Sequence, residues 1–180
     1  MKSPHWHPKI IFGTLWLFFL LPRFTQAQNR PVQATMVFVP PYTLALSDYT
    51  SATSQKLNLS LLLRDAGSPL RPVKLRFTIE GAGVTIRTSE AYLRTAQVLP
   101  INLVPNVLTT LSGANLQFRQ YFNPANLEIL GIDRNQFLRS KRLNSGIYRW
   151  RVEVLDYNLL VPLNNAQLTT NTIWMVLAQP

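Results

Sequence analysis

From Pro31 onward, apolar and polar residues alternate in several short segments. The alternation is clearest in Val73 to Glu80, and Lys56 to Arg64 repeats it with leucine at the apolar positions. Because successive side chains of a strand point to opposite faces, this period of two predicts strands with one buried face. The turn-forming stretch Asp65 to Pro69 lies between these two segments. We therefore predict that they are two consecutive antiparallel strands.

Further short segments have the same strand-like pattern: Val32 to Phe38, Tyr42 to Leu46, Val84 to Arg87, Val107 to Leu111, Tyr148 to Asp156 and Thr172 to Leu177. The helical segments that a parallel βαβ arrangement needs between its strands are missing. The alternation stops in Ser112 to Lys141, where Asn123-Pro124 and Asp133 are helix-start signals. We therefore expect an all-β fold, an antiparallel two-sheet β-sandwich with one long connection that carries short helices.

The long connection is rich in large apolar side chains. We expect it to cover one end or edge of the sandwich through these residues: Leu116, Phe118, Tyr121, Phe122, Leu127 and Leu130.

Residues 1–27 have the parts of a secretory signal. A positively charged start precedes the apolar run Ile10 to Leu21, and Thr25 and Ala27 are the small residues before the cut. The alternative, a membrane anchor, needs about 20 apolar residues, which is more than this run supplies. We therefore expect residues 1–27 to be a signal peptide and 28–180 to be a single β-sandwich domain, exported to a bacterial periplasm or to the extracellular cell surface.

The chain contains little of the side-chain chemistry that enzymes use. Both histidines, His5 and His7, lie in the predicted signal, and there is no cysteine. Residues 28–180 therefore lack an imidazole base, a thiolate nucleophile and nitrogen or sulfur ligands for a metal. The acidic residues show no paired or clustered spacing typical of a glycosidase or a calcium site. We expect no enzymatic activity, no cofactor and no metal, and a fold that depends on its core rather than on disulfides.

The chain is strongly basic, with 18 Lys and Arg against 8 Asp and Glu and a net charge of +10. Without residues 1–27, 15 of these cations and all 8 acids remain, which leaves +7. Such an excess attracts anionic glycans or membrane surfaces. Because the arginines are spread along the chain, we favour the interpretation that they mark the wet face of a sheet. No nucleic-acid motif is present, and no later segment is long enough to span a membrane.

The most specific local motif lies in Leu143 to Val154. Gly146, Tyr148, Trp150 and Val152 follow a short polar turn at every second position. The motif resembles the corner before strand F of immunoglobulin-like and fibronectin type III-like sandwiches. The resemblance implies that the Tyr148 hydroxyl bonds to upstream backbone and that Trp150 fills the core where immunoglobulins carry a cysteine.

A second resemblance rests on short stretches spread over residues 28–180: Pro40 to Tyr42, Leu46 to Tyr49, Leu75 to Gly81, Leu111 to Leu116, Tyr121 to Leu127 and Tyr148 to Tyr157. Together they are similar to the amino-terminal module of large multi-domain bacterial surface proteins. Those modules have no established catalytic role. The resemblance implies partners among other surface or periplasmic proteins, or among the following domains of a longer chain.

The last predicted strand is apolar on both faces, through Ile173, Trp174, Met175 and Val176. A domain on its own would normally expose one polar face, so this pattern indicates a partner, a following domain or burial beneath the long connection. The strand is therefore a candidate interaction edge. We expect a non-enzymatic exported module for protein–protein interaction or structural organisation. Its first strand, Val32 to Phe38, or its last strand would supply the contact.

An alternative is a carbohydrate-binding module. Tyr42, Tyr49, Tyr121 and Phe122 could form an aromatic platform for sugar, although we favour core and corner packing for them. Tyr49 is the best candidate for glycan contact because its neighbours are polar. With the arginines, this alternative predicts an anionic glycan as the ligand.

Overall fold

A computed structural model describes residues 30–39, 56–64, 70–112, 115, 118–131, 135, 139 and 143–175. The expectations for the following positions lie outside the described residues: the signal peptide 1–27, the strand Tyr42 to Leu46, the turn Asp65 to Pro69, and the residues Tyr49, Leu116, Asp133 and Val176. The described part of the chain is all-β and forms two antiparallel sheets. The expected two-sheet fold is confirmed.

The described elements follow one another in the order β1 (Val32–Phe38), β2 (Leu57–Leu63), β3 (Arg71–Gly81), β4 (Val84–Thr88), α1 (Glu90–Leu93), β5 (Ile101–Leu103), β6 (Leu108–Ser112), α2 (Phe118–Tyr121), a 3-10 turn (Pro124–Asn126), β7 (Leu127–Leu130), β8 (Gly146–Asp156) and β9 (Thr170–Met175). The first sheet has the strand order β1-β2-β6. The second has the order β7-β4-β3-β8-β9, and β5 adds to β3 beside β4.

Strands β2 and β3 lie in different sheets. β2 pairs with β1 and β6, whereas β3 pairs with β4, β5 and β8. The expectation that these consecutive strands form an antiparallel pair is therefore wrong. The reason is that alternation identifies the buried face of a strand but contains no information about its neighbour.

The core lies between the sheets. The leucines at alternate positions of β2 are fully buried, and they face the inward side chains of β3 and β8. The Trp150 indole is central: its ring centroid lies 5.2 Å from that of Phe38 and 5.9 Å from that of Phe122. Burying one such large apolar side chain contributes about 1.5–3 kcal/mol. Interior packing of this kind holds the fold together without a disulfide.

The long connection is only partly as expected. It contains the short strand β7, which pairs with β4 at the edge of the second sheet. Tyr121 and Phe122 are buried against the Phe77 ring, with centroid distances of 5.7 and 5.6 Å. Leu130 is 60% exposed, so the expectation that it packs inside is wrong. Its neighbour Ile129 faces the core instead because the two adjacent residues of a strand point to opposite sides.

The outer face of the second sheet is covered near the middle of β3. Lys74 and Arg76 are buried, so the interpretation of these two cations as a wet face is wrong. Lys74 Nζ donates to the Leu93 carbonyl of α1 at 2.5 Å and lies 4.1 Å from the Tyr157 ring centroid. Burial lowers the pKa of Lys74, and the nearby Arg94 charge lowers it further. The segment after β4 therefore folds over this face.

The edge of β3 toward β4 contains a gap. β4 pairs with the end of β3 and β5 with its beginning, which leaves the middle residues without a strand on that side. A side chain fills the gap: Thr88 Oγ1 accepts from the Phe77 N–H at 3.2 Å and donates to its carbonyl at 3.5 Å. Thr88 thus bonds to both backbone groups of Phe77 at a position where no described strand pairs with this edge of β3.

Candidate functional site

Two strand edges meet on one side of the sandwich. β1 is the edge strand of the first sheet and β9 that of the second. They approach closely enough for Asn171 Nδ2 to donate to the Met36 carbonyl at 3.3 Å. Between them lies a cavity of about 300 Å³, lined by Met36, Val37, Phe38, Asn171, Thr172, Ile173 and Trp174. We call this feature the β1–β9 groove.

The backbone of β9 presents hydrogen-bonding groups to the outside of the sheet. The Val152 N–H donates to the Thr169 carbonyl at 3.4 Å, and the register continues from there along β9. Backbone bonding alternates along an antiparallel pair, so every second residue turns its backbone groups away from its partner strand. In β9 these residues are Thr170, Thr172 and Trp174. No described strand pairs with that side of β9.

The backbone of β1 is oriented in the same way. The Val39 N–H donates to the Lys56 carbonyl at 2.7 Å, which fixes the bonded positions of the β1–β2 pair. The backbone groups of Val32, Ala34 and Met36 therefore turn away from β2. Of these, the Val32 N–H donates to the Leu163 carbonyl at 3.1 Å, and the Met36 carbonyl accepts from Asn171 at the groove. Two strand edges with outward polar backbone groups border a single cavity.

Exposed apolar side chains surround the groove. Trp174 is 55% exposed and lies directly opposite Ile147 of β8, which is 60% exposed. On the other side, Val37 is 50% exposed. Arg149, also exposed, lies opposite Thr172. The rim therefore combines apolar side chains with one cation.

The predicted interaction edge divides between two faces. Ile173 and Met175 are buried in the core, and Trp174 alone of the described members faces solvent. Val176 lies outside the described residues. The contribution of β1 to the rim, through Val37, has only a weak sequence signal: one valine at a polar-face position of an otherwise regular strand.

The corner motif lies next to this edge. Tyr148 is fully buried, and its hydroxyl donates to the Asn144 carbonyl. Trp150 is fully buried as well. The close backbone approach at this corner is made by Gly81, where a Cβ would overlap the Ile147 carbonyl oxygen and lie 2.8 Å from Tyr148 Cδ1. A Cβ at Gly146 would meet only the Ala82 methyl at 3.7 Å. Gly81 was not among the predicted corner residues, and its one sequence signal is its place at a strand end before Ala82-Gly83.

Of the four residues considered for an aromatic platform, the two that the structure describes are buried, in agreement with the core packing that we favoured. Tyr121 and Phe122 belong to the core, whereas Tyr42 and Tyr49 lie outside the described residues. Burial raises the pKa of Tyr121, and interaction with Tyr92 raises it further. The described part of this set therefore packs inward.

The charged side chains of the second sheet are mostly paired with one another. Arg76 lies 3.6 Å from Glu153, Arg151 lies 3.7 Å from Glu80, and Arg94 lies 2.6 Å from Glu90. The hydrogen bond from Arg94 and its charge hold the pKa of Glu90 below its usual value.

Within the described ranges, no three acidic, histidine or cysteine side chains come together as ligands for a metal ion. No helix among the described residues is long and apolar enough to cross a membrane.

Comparisons of this chain with protein-family models, with curated proteins and with solved structures gave no match.

Proposed function

We propose that this protein is an exported, non-enzymatic β-sandwich module that binds a partner protein at the β1–β9 groove. An extended segment of the partner would add to the outer edge of β9. Its backbone would bond to the outward groups of Thr172 and Trp174, and its side chains would enter the groove. The partners we expect are other surface or periplasmic proteins, or the following domains of a longer chain.

One observation carries this proposal: neither edge strand contains the charged side chains or prolines that usually protect an edge against pairing. Natural proteins protect exposed edges with charged side chains, prolines or bulges. β1 has the sequence VQATMVF and β9 has TNTIWM, with no charged residue and no proline in either. An edge of this composition is suited to pairing with another strand.

The rim supplies a basis for specificity. Tryptophan is enriched among the residues that dominate binding energy at protein interfaces. Trp174 and Ile147 lie opposite each other and are both exposed on the outer face, and Arg149 lies two residue pairs along the ladder on the same face. We therefore expect a partner segment with an apolar residue opposite Trp174 and an acidic residue near Arg149.

Site-specific photo-crosslinking in the producing cells tests the proposal. A photoreactive phenylalanine analogue replaces Trp174 in one variant and Leu168, which is 81% exposed and lies outside the groove, in the control. We expect a discrete crosslinked partner from position 174 and none from position 168. Mass spectrometry should place the crosslink in an extended segment of that partner.

A second change distinguishes strand addition from simple apolar contact. Thr172→Pro removes an outward N–H, which a paired strand would use, and leaves the rim side chains in place. It should abolish the crosslink from position 174. Equal crosslinking from both positions, or a crosslink that survives Thr172→Pro in a folded variant, would contradict strand addition at this edge.

A further inference from the structure

A second concavity lies away from the strand edges, where α1, the segment 97–101 and α2 meet. Its volume is about 210 Å³. It is lined by Tyr92, Gln97, Val98, Leu99, Pro100, Ile101, Asn115, Gln120 and Tyr121. We call it the amide cavity because three of these side chains are amides.

The polar side of the amide cavity is held in place by hydrogen bonds. The Tyr92 hydroxyl donates to Gln120 Oε1 at 3.3 Å. The Gln120 carbonyl accepts from Asn126 Nδ2 at 2.9 Å, which fixes the backbone of α2. Ser89 caps α1 by accepting from the Tyr92 N–H at 3.2 Å. Each amide side chain offers both donors and an acceptor, so this wall can bond to hydroxyl groups in either direction.

The opposite side of the amide cavity is apolar. Leu99 is 64% exposed at the rim, and Val98 is almost fully buried beneath it. Pro100 and Ile101 continue this side into β5. The cavity therefore presents one wall of amides and one wall of aliphatic carbon.

The charge of the lining residues and the volume of the cavity limit the class of ligand that fits. None of the described lining residues is charged, although the whole chain has a net charge of +10. A charged ligand would leave water here without an opposite charge to meet it. The volume is also below the roughly 300–1,000 Å³ of sites for drug-sized molecules. These limits indicate a small neutral ligand, about one ring in size.

We infer that the amide cavity binds one ring of a neutral sugar. A pyranose has hydroxyl groups along its edge and C–H groups on its faces, which match the amide wall and the aliphatic wall. An extended peptide fits poorly because residues of α1 and α2 line the cavity beside the start of β5 and leave it short. The described lining contains no arginine, so we expect a different ligand from the anionic glycan of the sequence-based alternative.

Saturation-transfer NMR on the purified protein tests this inference. The probes are methyl glycosides of glucose, galactose, mannose and N-acetylglucosamine, with glucuronic acid as a charged comparison. We expect saturation of at least one neutral glycoside. Gln97→Ala and Gln120→Ala should each weaken its binding roughly 2- to 10-fold, the effect of one lost hydrogen bond. Gln33→Ala, an exposed glutamine on the outer face of β1, is the matched control and should leave binding unchanged.

Three results would overturn the inference of a neutral-sugar site. They are no saturation of any glycoside, binding of glucuronic acid alone, and neutral-sugar binding that Gln97→Ala and Gln120→Ala both leave unchanged while remaining folded. Sugar binding that persists in Thr172→Pro would support a site separate from the β1–β9 groove. The sugar experiment and the crosslinking experiment can therefore fail independently.

Discussion

At the scale of single residues, a buried polar side chain replaces a missing strand partner. Thr88 Oγ1 bonds to both backbone groups of Phe77 in the gap beside β3. A buried backbone group without a partner costs about 1–3 kcal/mol, so this side chain helps β3 to be shared by two short strands. No local pattern in the sequence shows this role, because Thr88 and Phe77 lie on different strands.

Tyr121 gives the fold a predicted sensitivity to alkaline pH. Burial raises the pKa of Tyr121, and burial also raises that of Tyr92. Between the unfolded value of about 10 and the raised folded values, the folded state binds more protons than the unfolded state. The free energy of unfolding should therefore be highest below that window and fall as pH rises through it.

Denaturant unfolding at several pH values from about 8 to 11 measures this slope. Tyr121→Phe should reduce the fall above about pH 10, because the variant has no phenol with a raised pKa at this position. Because the pKa of Lys74 is lowered in the folded state, its contribution to the free energy of unfolding increases with pH up to the unfolded pKa of 10.5. This contribution is the same in both proteins. An identical alkaline slope in the two proteins would show that Tyr121 ionises freely in the folded state.

At the scale of elements, the alternation of apolar and polar residues predicted the long strands but not the shortest ones. β2 and β3 lie where the alternation is strongest, and their inward side chains belong to the core. β5 and β7 have three and four residues, too few for a period to be recognised. Pairing was not predictable either, because β2 and β3 show the same pattern and yet lie in different sheets.

The connection between β8 and β9 depends on one asparagine. Asn164 is buried, and its Oδ1 accepts from the Val154 N–H at 2.8 Å while its Nδ2 donates to the Val152 carbonyl at 3.1 Å. Its Nδ2 also donates to Thr169 Oγ1 at 2.9 Å. The side chain thereby extends the ladder that β9 forms along β8. No feature of the sequence distinguishes this asparagine from the neighbouring Asn165.

Asn164→Ala should lower the free energy of unfolding by about 3 kcal/mol, because two buried backbone groups lose their partners. Urea unfolding measures the change. Asn158→Ala is the control, since that side chain is exposed in the same connection and should change stability by less than about 0.5 kcal/mol. A loss below about 1 kcal/mol for Asn164→Ala would contradict the bonding described for this residue.

At the scale of the whole molecule, the two outer faces differ in charge. The second sheet has arginine–glutamate pairs across β3 and β8. The outward positions of the first sheet are uncharged: Gln33, Thr35, Val37, Asn58, Ser60, Leu62, Leu108, Thr110 and Ser112. The β1–β9 groove joins the uncharged face to the edge of the charged one. The sequence identified Trp174 and β9 as candidates, but only the packing of the sheets places Val37 and Met36 across from them.

Amide hydrogen exchange of the isolated protein tests the open edge of β9 most directly. We expect amide exchange to alternate along β9. Exchange should be slow at Asn171 and Ile173, whose backbone groups turn toward β8, and fast at Thr172 and Trp174. Addition of the crosslinked partner should slow exchange at Thr172 and Trp174. Slow exchange at all four positions in the isolated protein would contradict the account, because the edge that we assign to a partner would already be covered.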